Sequence, residues 1–188
     1  MARHGLLTLP PTAADLWLAR RIAQVARPEV ERTAKVITWL ADEHLLLAVV
    51  GCAWLGIRML DDDASHRQRA DYLLLTTAAA AALPHLLKHG VRRERPDRQV
   101  MAWPRRGVPY SGKPYDSFPS GHALHLGAMA AALSRWMPKP WRTLVWPVAA
   151  GLTATRLVLL AHWLTDVAAG LAIGIGLEAG LWRRIRPD

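Results

Sequence analysis

Five apolar runs, separated by charged connectors, set the rhythm of this chain. The first covers 45–57 and is closed by Arg58 and a polar connector over 61–71. The second, 72–87, is rich in alanine and has Pro84 near its end. The third covers 123–133, and the fourth and longest 143–164, with Arg156 inside it. The fifth, 167–182, is rich in glycine and is followed by Arg183, Arg184 and Arg186. A helix that crosses a bilayer needs about 20 mostly apolar residues, so several runs qualify only with their flanks. The alternative is a soluble all-α protein with very apolar helices, but a short chain has little polar face with which to cover five such runs. The pattern predicts an all-α fold, an integral membrane helical bundle with five clear spans, or six if the N-terminal region supplies one.

Ahead of these runs, 12–25 has helical spacing. Leu16, Trp17, Ile22 and Val25 alternate with Asp15, Arg20 and Arg21, which suits an amphipathic helix lying in the membrane interface. Residues 1–43 are therefore expected to form an interfacial segment and 44–188 the membrane-embedded domain. Pro10 and Pro11 break the Leu6, Leu7, Leu9 run, so no cleavable signal is expected. Strand signals are weak. The alanines of 78–82 and Gly170, Gly174, Gly176 and Gly180 predict close helix packing. Trp103, Trp136, Trp141, Trp163 and Trp182 stand near run ends, where interface anchors belong. Cys52, the one cysteine, lies in an apolar run and is expected to pack inside it.

Charge changes the picture at one place. The stretch 88–122 holds a net +5 of the chain's +9. Such a balance admits nucleic acid, an anionic membrane surface or an anionic small substrate, but no nucleic-acid reading motif is present. Arg92, Arg93, Arg98, Arg105, Arg106 and Lys113 are expected to face headgroups, and 103–114, with its prolines and glycines, is a candidate lid. Asp61, Asp62 and Asp63 have no neighbours to complete a coordination shell and are read as a solvated loop.

Three pieces carry chemistry. The first is Lys88, six residues, then Arg95-Pro96; the second is Pro119-Ser120-Gly121-His122; the third is Thr155-Arg156, five residues, His162, three residues, Asp166. An arginine within an apolar run costs about 2.5–3.5 kcal/mol on insertion scales, so Arg156 should face a cavity or partner. His162 and Asp166, four apart, would share one face of a helical turn. A carboxylate on one imidazole nitrogen leaves the other free as base or nucleophile. His122 follows a Ser-Gly pair at a predicted helix start, where free amides favour an anion. Lys88, Arg95 and Arg156 add cations able to grip phosphate oxygens. Two histidines, a carboxylate, three cations and a turn of amides fit phosphoryl transfer without a metal or other cofactor. His125, one turn after His122, is a candidate supporting residue or a packing histidine.

At these residues the sequence resembles the type 2 phosphatidic acid phosphatase superfamily, whose signature runs K-x6-R-P, P-S-G-H and S-R-x5-H-x3-D. All spacings hold, with Thr155 in place of the usual serine. The resemblance spans roughly 70–180 and is strongest to the short bacterial membrane members. It implies a lipid phosphate or diphosphate as substrate, of the phosphatidic acid or isoprenyl diphosphate type. It also implies His162 as nucleophile through a phosphohistidine, Asp166 orienting it, and His122 as acid. Lys88, Arg95, Ser120, Gly121 and Arg156 would hold the phosphate. It further implies the bacterial inner membrane with the site on its outer face, which agrees with a cytoplasmic assignment of the opposite face, the one that holds Arg58, Arg67, Arg69, Arg135, Lys139, Arg142, Arg183, Arg184 and Arg186. Two rival readings remain open at this point. One is a soluble acid phosphatase or vanadate-dependent haloperoxidase with the same pocket. The other is a non-enzymatic basic membrane protein that binds anionic lipid.

Overall fold

Caps and prolines cut the chain into its elements. The computed structural model describes residues 7–101 and 106–185. Strand β1 (Leu7–Thr8) leads to Thr12, which caps α1 (Ala13–Val25) in a reciprocal capping box with Asp15. Pro28 opens α2 (Pro28–Ile37), which runs into a 3-10 turn (Thr38–Ala41). Asp42 caps α3 (Glu43–Leu60) and Asp63 caps α4 (Ala64–Gly90). Strand β2 (Val91–Arg92) and the short α5 (Pro96–Gln99) begin the long basic segment. Ser120 caps α6 (Gly121–Trp136), and α7 (Lys139–Val158) and α8 (Leu164–Ile185) complete the chain.

The five apolar runs become α3, α4, α6, α7 and α8, but they do not all reach spanning length. Among the described residues, three stretches are long and apolar enough to cross a membrane: Pro28–Leu60, Ala64–Gly90 and Leu164–Ile185. Helix α6 has only 16 residues, and α7 carries Lys139, Arg142 and Arg156. The fourth run is also not one helix. It breaks at Leu160, whose φ of 49° lies in the left-handed region, so Arg156 sits in a last turn and not mid-span.

Helix α6 is the centre of the bundle, with Leu124 and Ala128 wholly buried against Ala80 of α4. It meets α8 at backbone distance. A Cβ on Gly174 would lie 2.0 Å from the Leu124 carbonyl, and one on Gly170 would lie 2.6 Å from that of Ser120. Gly176 and Gly180, expected to serve the same contact, face open space instead, because they lie off the α6 side. This close seam brings the N-termini of α6 and α8 together.

Other expectations are corrected. Trp163 is buried, not an interface anchor; its indole donates to the Glu94 carbonyl at 2.7 Å. Trp136 and Trp182 pack edge-on with Tyr72 at the far end of the bundle, at 5.3 and 5.6 Å. Trp103 lies outside the described residues. Cys52 is exposed on α3 and does not pack inside its apolar run. The strands, too weak to read in sequence, pair in parallel, Leu7 with Val91 and Thr8 with Arg92. Helix α1 packs through Ala19 against Leu160 and Trp163, beside the turn that carries His162.

Candidate active site

Four helix ends and two turns converge at one end of the bundle. Lys88 lies in the last turn of α4, and Ser120, Gly121 and His122 at the start of α6. Arg156 lies in the last turn of α7 and Asp166 in the first turn of α8. Arg95 stands just ahead of α5, and His162 in the turn between α7 and α8. Residues drawn from 88 to 166 thus share one locality.

His162 is buried, and its Nδ1 lies 2.7 Å from the Ser117 carbonyl oxygen. A carbonyl can only accept, so Nδ1 carries the proton and Nε2 the lone pair. The Nη1 of Arg95 lies 3.3 Å from that Nε2. Burial holds the His162 pKa well below its usual value, and the charges of Arg95, Arg156 and Lys88 push it the same way. The ring is therefore neutral near pH 7, with its free nitrogen turned toward a cation.

Asp166 is not the direct partner of His162 that its spacing suggests. The closest approach is 3.9 Å, because His162 precedes α8 and shares no helical turn with it. The Asp166 carboxylate instead accepts from the Trp163 amide at 2.8 Å, from the Ser117 hydroxyl and from Arg93 Nη1. Ser117 joins the two groups: its carbonyl orients the imidazole and its hydroxyl binds the carboxylate. The backbone locks the same corner, with the Ser120 amide donating to the Asp166 carbonyl at 3.2 Å.

The cations are held in different ways. Arg95 donates to the carbonyls of Lys113, Ala161 and Asp116 at 2.9, 2.8 and 3.2 Å, which aims its fork. Arg156 donates from Nη1 to the Thr38 hydroxyl at 3.3 Å, and its buried Nε has no partner among the described residues. Lys88 lies within electrostatic reach of Arg95, Arg156 and Asp116. The Thr155 hydroxyl is turned away, donating to the Leu152 carbonyl at 2.6 Å. His122 and Arg156 line a common cavity. His125 on α6 and Thr76 on α4 are both wholly buried. Among the described residues no cluster of three or more His, Cys, Asp or Glu could hold a metal.

Two arginines expected to face headgroups are instead buried in acid–arginine–acid bridges. Arg93 pairs with Asp15 of α1 at 2.7 Å and with Asp166. Arg106 pairs with Glu31 of α2 at 3.2 Å and with Asp97 at 2.9 Å. A charge out of water needs such partners. Thr165 closes the first bridge, its amide and hydroxyl donating to Asp15 at 2.9 and 2.7 Å. The second pins the described part of the candidate lid, together with a bond from the Gly107 amide to Glu31 and from Ser111 to Asp97 at 2.7 Å. Residues 103–105 of that segment lie outside the described residues. One signal for Arg93 was present in the sequence: in an extended stretch, residues two apart share a face, so Arg93 accompanies Arg95. Nothing in the sequence pointed to Asp15 or Glu31.

Residues 70–187 match the sequence profile of the PAP2 superfamily. The chain belongs to the PAP2 superfamily. It is 34% identical over 166 residues to the lipid A 1-phosphatase of Rhizobium johnstonii, covering 80% of this chain and 67% of that one. It is 31% identical over 172 residues to the decaprenylphosphoryl-5-phosphoribose phosphatase of Mycobacterium tuberculosis, covering 90% and 89%. This PAP2 chain shares its fold with a transmembrane PAP2-type phosphatidylglycerolphosphate phosphatase from Bacillus subtilis. The TM-score is 0.72 and the identity 21%, over 92% of this chain and 84% of that one. It also resembles LpxE of Aquifex aeolicus, with a TM-score of 0.65 and 18% identity, over 92% and 96%.

Proposed function

We propose that this PAP2 protein is a membrane-embedded phosphatase that removes a terminal phosphate from a lipid-linked phosphate through a phosphohistidine intermediate. The observation that carries the reading is the state of His162: Nδ1–H on the Ser117 carbonyl, Nε2 unprotonated and facing Arg95. Nε2 attacks phosphorus, and the bond to the leaving oxygen breaks as His122 supplies its proton. General acid catalysis of this kind contributes typically 10²–10⁴-fold. Lys88, Arg95, Arg156, Ser120 and the Gly121 amide hold the phosphoryl oxygens and stabilise their charge in the transition state. Asp166 balances the imidazolium charge that forms. Water, deprotonated by His122, then attacks the phosphohistidine and releases phosphate with His162 restored. No step calls for a metal.

The related proteins act, by their names, on lipid A and on decaprenylphosphoryl-5-phosphoribose. A lipid-linked phosphate, phosphatidic acid and isoprenyl diphosphate included, is the substrate class in view here. Helices α3, α4, α6, α7 and α8 would cross the bilayer, with residues 44–188 forming the phosphatase domain and 1–43 lying at its interface. In a bacterial inner membrane the site would open on the outer face. Membrane fractionation separates this reading from a soluble haloperoxidase or acid phosphatase. The chemical test uses purified protein in detergent with chelator present. Phosphate release from a lipid phosphate, its loss in His162→Ala, and an acid-labile phosphoenzyme on rapid quench support the proposal. Full activity in His162→Ala sinks it, and no release from any lipid phosphate leaves the binding-protein reading standing.

A further inference from the structure

Arg93 divides its guanidinium between two acids from distant parts of the chain. Nη1 binds the Asp166 carboxylate on α8, and Nη2 lies 2.7 Å from Oδ2 of Asp15 on α1. The hydroxyl of Thr165 closes the triangle, accepting from Nη1 at 2.7 Å and donating to Asp15 Oδ2 at 2.7 Å. The side chains of the three charged residues are at most 3% exposed. Asp15 lies outside the stretch 70–187 that matches the family profile.

The main chain already fixes where Arg93 starts. Its amide donates to the Tyr115 carbonyl at 3.0 Å, and its carbonyl accepts from the Ser117 amide at 3.1 Å. Asp166 by itself neutralises the guanidinium charge. Asp15 makes the group two acids on one arginine, a net charge of −1 out of water. Burial alone would raise the Asp15 pKa, but the bonds from Thr12 and Thr165 outweigh it and hold it below the usual carboxylate value, so the second acid is charged. An excess buried charge is costly unless something offsets it. His162 is the group placed to use it. Its Nδ1 stands 3.9 Å from Asp166, and the ring becomes cationic when Nε2 takes the phosphoryl group.

We infer that Asp15 is a positioning residue for the reaction: by taking one arm of Arg93 it leaves Asp166 the negative charge that balances the imidazolium of His162. The inference rests on the reading of His162 as the nucleophile. Without Asp15 the whole guanidinium charge falls on Asp166, and the imidazolium loses its counter-charge. That charge appears only as the phosphoryl group is transferred, so the loss falls on the transition state and not on substrate binding.

The test uses the full chain in detergent with phosphatidic acid and an isoprenyl monophosphate. Asp15→Asn keeps the size of the side chain and removes its charge. On the better of the two substrates kcat should fall about tenfold or more, with KM within about twofold of wild type. In an Asp166→Asn background the same change should cost less than about threefold further, since it acts through that carboxylate. Thr165→Val removes the hydroxyl that ties Asp15 to the pair but leaves every charge, and reads the same effect should the first variant not fold. Its kcat should fall about threefold with KM unchanged. Tyr72→Phe separates these effects from a loss of stability, because it strips a bond from buried Glu178 at the far end of the bundle. It should lower the unfolding midpoint and leave kcat within about twofold of wild type. The inference is overturned if neither Asp15→Asn nor Thr165→Val lowers kcat, if they act mainly through KM, or if Asp15→Asn costs as much without the Asp166 carboxylate as with it. In each case the phosphatase reading stands. If wild type releases no phosphate, or His162→Ala stays fully active, that reading fails and the role of Asp15 falls with it.

Discussion

The imidazole of His162 is oriented by the main-chain carbonyl of Ser117, 2.7 Å from Nδ1, and the Asp166 carboxylate stands 3.9 Å away. A main-chain acceptor cannot be mutated away, so the tautomer of the proposed nucleophile is protected from substitution at either side chain. The two side chains nevertheless differ in what they contribute, and the difference can be measured.

Ser117→Ala removes the hydroxyl that binds Asp166 but keeps the carbonyl that orients His162. Asp166→Asn removes half of the pairing of Arg93 and the charge that would balance the proposed phosphohistidine. The expected loss in kcat is about tenfold for Ser117→Ala and about 10²–10³-fold for Asp166→Asn. Steady-state kinetics on a soluble phosphate ester check the order of the two.

Asp15 lies far from the proposed phosphate-binding residues in sequence, yet it is 1% exposed and paired with Arg93. Asp15→Ala leaves Arg93 buried with one acid in place of two. Removing a single partner from a buried pair costs about 3–5 kcal/mol. The unfolding midpoint in detergent should drop by several degrees, and Arg20→Ala, on an exposed part of the same helix, should leave it unchanged.

The pH response follows from the lowered pKa of His162, which burial causes first and the charges of Arg95, Arg156 and Lys88 reinforce. The nucleophile stays neutral through the range in which an ordinary histidine, near 6.5, takes up its proton. The acid limb of kcat/KM due to this group should therefore fall well below that value. For stability the sign is as follows: below about pH 6.5 the unfolded chain binds a proton that the folded one refuses, so the folded state loses stability as pH drops. Above that range this group adds no pH dependence. A pH–rate profile and unfolding midpoints at pH 7.5 and 5.5 read the two effects.

The seam between α6 and α8 makes a fourth test. A Cβ on Gly174 would lie 2.0 Å from a main-chain carbonyl, whereas one on Gly176 meets nothing within 4 Å. Gly174→Ala should cost about 1–3 kcal/mol or more by overpacking. It should also reduce activity, because the same seam sets Ser120 against Asp166. Gly176→Ala should stay within about 0.5 kcal/mol of wild type. Thermal unfolding of the two variants side by side gives the comparison.

The sequence by itself determined the helical class, the places where the apolar helices lie and the spaced motifs from which the site is proposed. Each of these is encoded locally, in apolar periodicity, in caps such as Ser120 and Asp63, and in the spacing of Lys88, Arg95, His122, Arg156, His162 and Asp166. Only the tertiary structure decided the rest. It cut the fourth apolar run at Leu160, withdrew Arg93 and Arg106 from the surface, placed Ser117 between His162 and Asp166, and brought Asp15 and Glu31 of the N-terminal helices into buried ion bridges. The reason is physical: a buried charge must find its partner wherever packing supplies one, and across separations as long as 15 to 93 or 31 to 106 no periodicity records the choice.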